Sequence, residues 1–159
     1  MILILLGTQD KSFVRLVKAV DQAVNDGYIN EEVIAQLGYT KYKSKNIKTF
    51  DLLPKDEYEA ILNKADLIIT HSGVGSILTG LKNNKKIIAA ARLKKLGEHT
   101  NDHQTEIRDA LYKEGYILKL DDFDKLPEVL KEVKKFKPRK YTTNNSKFVD
   151  LVENYIDSL

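Results

Sequence analysis

With 159 residues the chain is long enough for one domain with its own core, and the absence of cysteine excludes a disulfide framework and any thiolate metal site. An apolar fraction of 42% and a charged fraction of 31% are ordinary for a globular protein, and a net charge of +3 is too small to argue for a nucleic-acid partner. No apolar run approaches the roughly 20 residues of a membrane-spanning helix, and the six apolar residues at the start lack a basic leader and a cleavage site, so they read as a first strand.

Residues 2–6 form a continuous apolar run, as fully buried parallel strands do, ended by Gly7-Thr8-Gln9. Phe13, Leu16, Val17, Val20 and Val24 follow at helical spacing, and Asn25-Asp26-Gly27 closes that helix. Residues 32–37 read as a second strand. Residues 39–45 are a polar loop whose Lys41, Lys43 and Lys45 offer charge to anionic lipid. Residues 47–50 are a short third strand, and Pro54 opens a helix with Tyr58, Ile61 and Leu62 inward.

Residues 67–69 are a buried strand, followed by a turn with Gly73 and Gly75 and a helix carrying Ile77, Leu78 and Leu81. Residues 86–90 form the fifth strand and residues 92–100 a loop. Asn101 or Asp102 caps a helix that Gly115 stops, and residues 116–120 form the sixth strand. Residues 126–136 are helical. The basic stretch 131–140 reads as a solvated face. The sequence divides into a domain over 1–136, a linker over 137–144 and an amphipathic helix over 145–159, with Phe148, Leu151, Val152, Tyr155, Ile156 and Leu159 on one stripe.

Strands alternating with helices predict an α/β, Rossmann-like parallel sheet with helices on both faces. Ligands of such sheets lie beyond the carboxyl ends of the strands. Three loops therefore point at one crevice: Gly7-Thr8-Gln9, residues 71–76, and residues 92–104.

Strand, glycine turn and helix is an arrangement that presents backbone N–H groups to a phosphate, with Ser72, Gly73, Gly75 and Ser76 at the turn. The glycines alone fit two readings, a phosphate seat or a tight helix entry, since neither a Walker A lysine nor a full G-x-G-x-x-G is present. The histidines widen the signal: His71, His99 and His103 are all the histidines of the chain, and all lie in the converging loops. Glu98, Asp102 and Gln104 beside them are groups that bind hydroxyls. A zinc site lacks H-E-x-x-H and thiols, a serine hydrolase lacks G-x-S-x-G, and a dinucleotide fingerprint does not follow the first strand.

Gly7-Thr8, His71-Ser72-Gly73-Val74-Gly75-Ser76, and Gly97-Glu98-His99 with Asp102-His103-Gln104 together resemble the C-terminal, donor-binding half of glycosyltransferase family 28, over roughly residues 1–120. The resemblance is to the soluble subunits of two-piece enzymes, both capsule and exopolysaccharide galactosyltransferases and the dolichol-linked N-acetylglucosaminyltransferase. It implies half of a GT-B enzyme. Residues 71–76 would face the diphosphate of a UDP-sugar and residues 98–104 its ribose and sugar, with Gln104 on sugar hydroxyls. The expected donor-binding set is Gly7, Thr8, Ser72, Gly73, Gly75, Ser76, Arg92, Glu98, His99, Asp102, His103 and Gln104, with no metal and no other cofactor. His71 and His99 are the catalytic candidates, a partner residue being the alternative base. Two departures from the family stand out. Thr79 replaces a ribose-binding glutamate, so ribose binding would be weaker or would move, with Glu98 one candidate, and Ala91-Arg92 replaces Pro-Arg, which would loosen the loop.

The implied reaction is inverting transfer of a hexose, galactose or N-acetylglucosamine, to a lipid-diphosphate-linked sugar at the cytosolic face of the membrane. A separate membrane-anchored chain would hold the acceptor, helix 145–159 would either dock on that chain or pack on its own sheet, and a homodimer is one possible form of the isolated chain. The rival reading is a non-catalytic nucleotide-sugar-binding or activating subunit.

Overall fold

The computed structural model describes residues 1–7, 10–99 and 101–141, the side chain of His103 excepted. Six strands make one sheet: β1 (Ile2–Leu5), β2 (Val33–Gln36), β3 (Lys48–Phe50), β4 (Leu67–His71), β5 (Lys86–Ala90) and β6 (Leu118–Lys119). Their order is β3-β2-β1-β4-β5-β6, and every neighbouring pair is parallel. The helices are α1 (Val14–Asn25), α2 (Lys55–Lys64), α3 (Val74–Lys82), α4 (His103–Lys113) and α5 (Leu126–Lys135). The α/β, Rossmann-like architecture expected from the alternation of elements is the one the chain adopts.

The strands are continuous apolar runs because both faces of the sheet are covered. Ile2, Ile4 and Leu6 point to a core shared with Leu16, Val17 and Val20 of α1 and Leu126, Leu130 and Val133 of α5. Leu3 and Leu5 point to the other, with Leu62 of α2, Ile77 and Leu81 of α3, and Ile107 and Leu111 of α4. Burying each such side chain contributes about 1.5–3 kcal/mol.

The chain winds outward from β1 to β3, then returns through α2 to β4 and winds the other way. β1 and β4 therefore lie side by side, from Ile2 opposite Leu67 to Leu5 opposite Thr70. Their connections leave on opposite sides, and the gap beyond their carboxyl ends is where such folds receive ligands.

Two strands differ from the sequence reading. β4 continues two residues further, because Thr70 and His71 are buried despite being polar. β6 is only two residues long, although Tyr116, Ile117 and Leu120 around it are buried as expected. The stretch expected as a linker is described as far as residue 141, and there it lies on the domain. The Arg139 N–H donates to the Gly115 carbonyl at 2.8 Å, and Tyr141 packs beside the α2, α3 and α4 core. The helix expected over 145–159 lies outside the described residues.

Candidate functional site

The site is built around the imidazole of His71, the last residue of β4. Its backbone ends a strand, so its ring stands at the gap between β1 and β4 rather than in the following loop. The ring is only 5% exposed. Gly7, just past β1, and Gly73, just past β4, enclose it. A Cβ on Gly7 would lie 2.5 Å from His71 Nε2, and one on Gly73 would land on Cε1 of the same ring. Gly7 also has a φ of +76°, which disfavours other residues. Gly73 was read as part of a turn that presents backbone to an anion and Gly7 as a member of the donor-binding set; in the structure both make room for an imidazole.

Gln104, near the start of α4, sets the state of that ring. Its Nε2 lies 3.1 Å from His71 Nδ1, and its Oε1 accepts the Arg92 N–H at 3.2 Å. The Arg92 N–H can only donate, so the amide oxygen faces it and the amide NH2 faces the ring. An NH2 cannot accept a proton, so Nδ1 is the acceptor and the proton sits on Nε2. Burial first, and then the nearby charge of Arg92, push the His71 pKa down to about 3. His71 is thus a neutral ring presenting one N–H, from Nε2, on the side where Ser76 Oγ lies 3.3 Å away.

This arrangement corrects three expectations. His71 does not fit the role of a catalytic base at neutral pH, since its outward nitrogen already carries a proton. Gln104 is 1% exposed, with both ends of its amide engaged, so it positions His71 instead of facing sugar hydroxyls. Arg92, 1% exposed, does not line the crevice: its Nη1 donates to the Lys11 carbonyl at 2.6 Å and its Nη2 to that of Leu6 at 2.5 Å. By holding the loop after β1 in this way, Arg92 also tightens a segment that the missing proline was expected to loosen.

Glu98 is likewise turned inward. Its carboxylate pairs with Arg15 through Nε at 3.1 Å and Nη2 at 2.9 Å, and also accepts the Leu93 N–H at 3.0 Å. The Arg15 guanidinium stacks 3.9 Å from the centre of the Phe123 ring. The carboxylate that was one candidate for ribose binding therefore holds residues 93–98 against α1. Thr79, at the place of the family's glutamate, donates its hydroxyl to the Gly75 carbonyl at 2.8 Å. Ser72 is wholly buried, and its Oγ has no partner among the described residues.

What faces outward is the head of α3. Gly73 is its N-cap residue, and no side chain caps it. The first N–H groups of a helix, here those of Val74, Gly75 and Ser76, have no partner within it. Gly75 is exposed, with open space where its Cβ would stand, and Ser76 is half-buried. Ser76 lies too far into the helix to cap it, and its hydroxyl faces His71.

On the far side, Asp102 occupies the N-cap position of α4, but its carboxylate accepts the Lys94 N–H at 3.0 Å and not a helix N–H. His99 is half-buried, and its Nδ1 accepts the Asn101 N–H at 3.1 Å. His103 begins α4, and Thr8 lies outside the described residues. A cleft of ≈440 Å³ lined by Leu93, Lys95, Asp102, Thr105 and Glu106 opens beside this helix head. Among the described residues no three His, Asp or Glu side chains gather as a metal ion would require.

Two contributors escaped the sequence reading. Arg15 looked like one more polar residue of α1. Gln36, 6% exposed, donates to the Gly7 carbonyl at 3.0 Å and fixes the loop beside His71. A glutamine closing an otherwise apolar buried strand was the signal available for it.

Comparison with known proteins follows the same lines. UDP-N-acetylglucosamine transferase subunit ALG13 of Cryptococcus neoformans is 39% identical over 64 residues, which is 40% of this chain and 30% of that protein. The subunit of the same name from Debaryomyces hansenii is 26% identical over 117 residues, 74% of this chain and 52% of that one. The matched stretch thus spans about a third to a half of these relatives. The NMR solution structure of ALG13 superposes with a TM-score of 0.65 at 21% identity, covering 98% of this chain and 96% of the other. The calicheamicin glycosyltransferase CalG4 gives 0.59 at 16% identity, covering 97% and 36%. These two superpositions establish a shared fold with GT-B glycosyltransferases. The model of the glycosyltransferase family 28 C-terminal domain matches residues 1–156, so the chain belongs to that family.

Proposed function

We propose that this chain is the donor-binding subunit of an inverting glycosyltransferase that moves a hexose from a UDP-sugar to a lipid-diphosphate-linked sugar. A separate membrane-attached chain supplies the acceptor half. The names of the ALG13 relatives, subunits of a UDP-N-acetylglucosamine transferase, favour N-acetylglucosamine over galactose as the sugar.

The observation that carries the reading is the neutral Nε2–H of His71 beside the uncapped head of α3. A diphosphate seated there meets the N–H groups of Val74, Gly75 and Ser76, the positive end of the helix dipole and the His71 N–H. As the anomeric bond breaks, negative charge grows on the leaving UDP. Fixed donors stabilise it without reorganising, and one such donor is typically worth about 2.7–4 kcal/mol. His71 does this without exchanging a proton, because its low pKa keeps it neutral. His71 turns a protonated nitrogen outward and so is not placed as the base that deprotonates the acceptor hydroxyl. In this reading the partner provides that base.

Calorimetric titration of UDP, UDP-galactose and UDP-N-acetylglucosamine into the full chain, with and without EDTA, tests the reading. UDP binding that ignores EDTA is expected, and no affinity for UDP overturns it. The neutral, proton-carrying state of His71 favours one second reading, a non-catalytic donor-binding subunit. Binding without turnover in the presence of the partner would select it.

A further inference from the structure

Residues 39–50 hold four lysines, one exposed tyrosine and no carboxylate, in a chain whose net charge is only +3. Their arrangement is regular. Thr40 Oγ1 accepts the Phe13 N–H at 2.9 Å. Tyr42 donates to Asp21 at 2.6 Å, Ser44 to its other carboxylate oxygen at 2.7 Å, and Asn46 to Asp21 at 2.9 Å and Asn25 at 2.8 Å. Burial works against the charge of Asp21, but these three hydrogen bonds outweigh it and hold the carboxyl below its usual range. Every second residue of the ribbon is thus tied down along α1.

The residues between them face outward. Lys41, Lys43 and Lys45 are exposed, as is Lys48 at the start of β3. The ion pairs among the described residues involve none of the four. Tyr39 is 62% exposed and Leu52 63%, the highest values among the large apolar side chains. A backbone bond of 3.0 Å from Gly38 to Asp51 brings their two turns together at the carboxyl ends of β2 and β3, the end of the sheet where His71 stands.

We propose that this ribbon is a membrane-contact surface, its lysines meeting anionic headgroups while Tyr39 and Leu52 enter the interface. Unpaired ammonium groups are point charges without directional demands, which suits a fluid headgroup layer better than a phosphate in a fixed position. Arginine is absent from the ribbon, and Tyr39 is its one exposed ring where a nucleic-acid groove would line up several. Two apolar tips beside the charges add interfacial burial, which an electrostatic patch alone would lack. The proposal stands apart from the donor site: it concerns a different edge of the molecule and does not require that UDP bind.

The test is flotation of the full chain with vesicles of phosphatidylcholine alone or mixed with phosphatidylserine, over a series of salt concentrations. The chain is expected to float with the mixed vesicles and to be released by salt. The quadruple variant Lys41→Gln, Lys43→Gln, Lys45→Gln, Lys48→Gln should lose on the order of 10²–10³-fold in partitioning at low salt. Its circular dichroism and thermal midpoint should not change, since the ion pairs among the described residues include none of these side chains. Tyr39→Ser with Leu52→Ser should weaken the residual binding at high salt. Equal partitioning of the quadruple variant and the parent overturns the proposal, as does equal binding to both vesicle types. Lysine-dependent binding of a duplex oligonucleotide without any vesicle binding overturns it too, and assigns the ribbon to nucleic acid.

Discussion

Gln104 and His71 meet at 3.1 Å through Nε2 and Nδ1, and a backbone N–H 3.2 Å from the other end of the amide decides which way round the glutamine lies. Orientation and proton position are therefore linked across three residues. Replacing Gln104 by Glu puts an acceptor against Nδ1. The proton is then expected on Nδ1, and the ring's pKa should rise because a carboxylate stabilises the imidazolium. Nitrogen-15 spectra of the imidazole should show a single neutral tautomer through the neutral range in the parent and a titrating ring in Gln104→Glu. UDP affinity should be flat with pH in the parent and pH-dependent in the variant. Unchanged spectra would disprove the link.

Acid stability follows from the same ring. Its pKa is lowered from 6.5 to about 3 on folding, so the unfolded chain binds one more proton between those values. Folded-state stability from this group is complete above pH 6.5 and is lost as pH falls toward 3, at roughly 1.4 kcal/mol per pH unit. Urea unfolding followed from neutral to acid pH should show this slope, and His71→Gln should remove one proton's share of it. An identical slope in the variant would refute the assignment.

The glycines of the turn should separate cleanly. Gly73→Ala drives a methyl into the His71 ring and should cost about 1–3 kcal/mol, and with it UDP binding. Gly75→Ala, two residues later, meets open space within a helix and should stabilise by about 0.4–1 kcal/mol. Thermal midpoints of the two variants should move in opposite directions.

The Arg15–Glu98 pair offers a test of the loop after β5. Arg15→Ala leaves a carboxylate that is 8% exposed without its cation, and a cost of about 2–3 kcal/mol is expected, less than for a fully buried pair because Arg15 is 30% exposed. Arg15→Met combined with Glu98→Met should recover much of this, measured as a double-mutant cycle in urea. Strict additivity of the two single variants would mean that the pair is not coupled.

The sheet was legible because burial on both faces leaves an unbroken apolar signature: residues 86–90 were read to the residue, and β1 to within one. β4 was read short because Thr70 and His71 look like loop residues. Their burial depends on partners far away in sequence, Leu5 and Gln104. The gathering of residues 7, 71–76 and 92–104 was legible from topology alone, since parallel strands send their following loops to one end. Which members face outward was not. Arg92, Glu98 and Gln104 carry the chemistry of ligand-binding groups, yet each bonds to a residue that only the folded chain brings near. Roles for Thr8, and the helix over 145–159, lie beyond the described residues.

The two margins of the sheet are unequal in chemistry but alike in brevity: β3 contributes three residues and β6 two. Unpaired backbone along a sheet margin is a template for another chain, and short or lysine-bearing margins blunt it. Here Lys48 stands on one margin and Lys119 on the other. Self-association by continuing the β-ladder from molecule to molecule is thereby disfavoured.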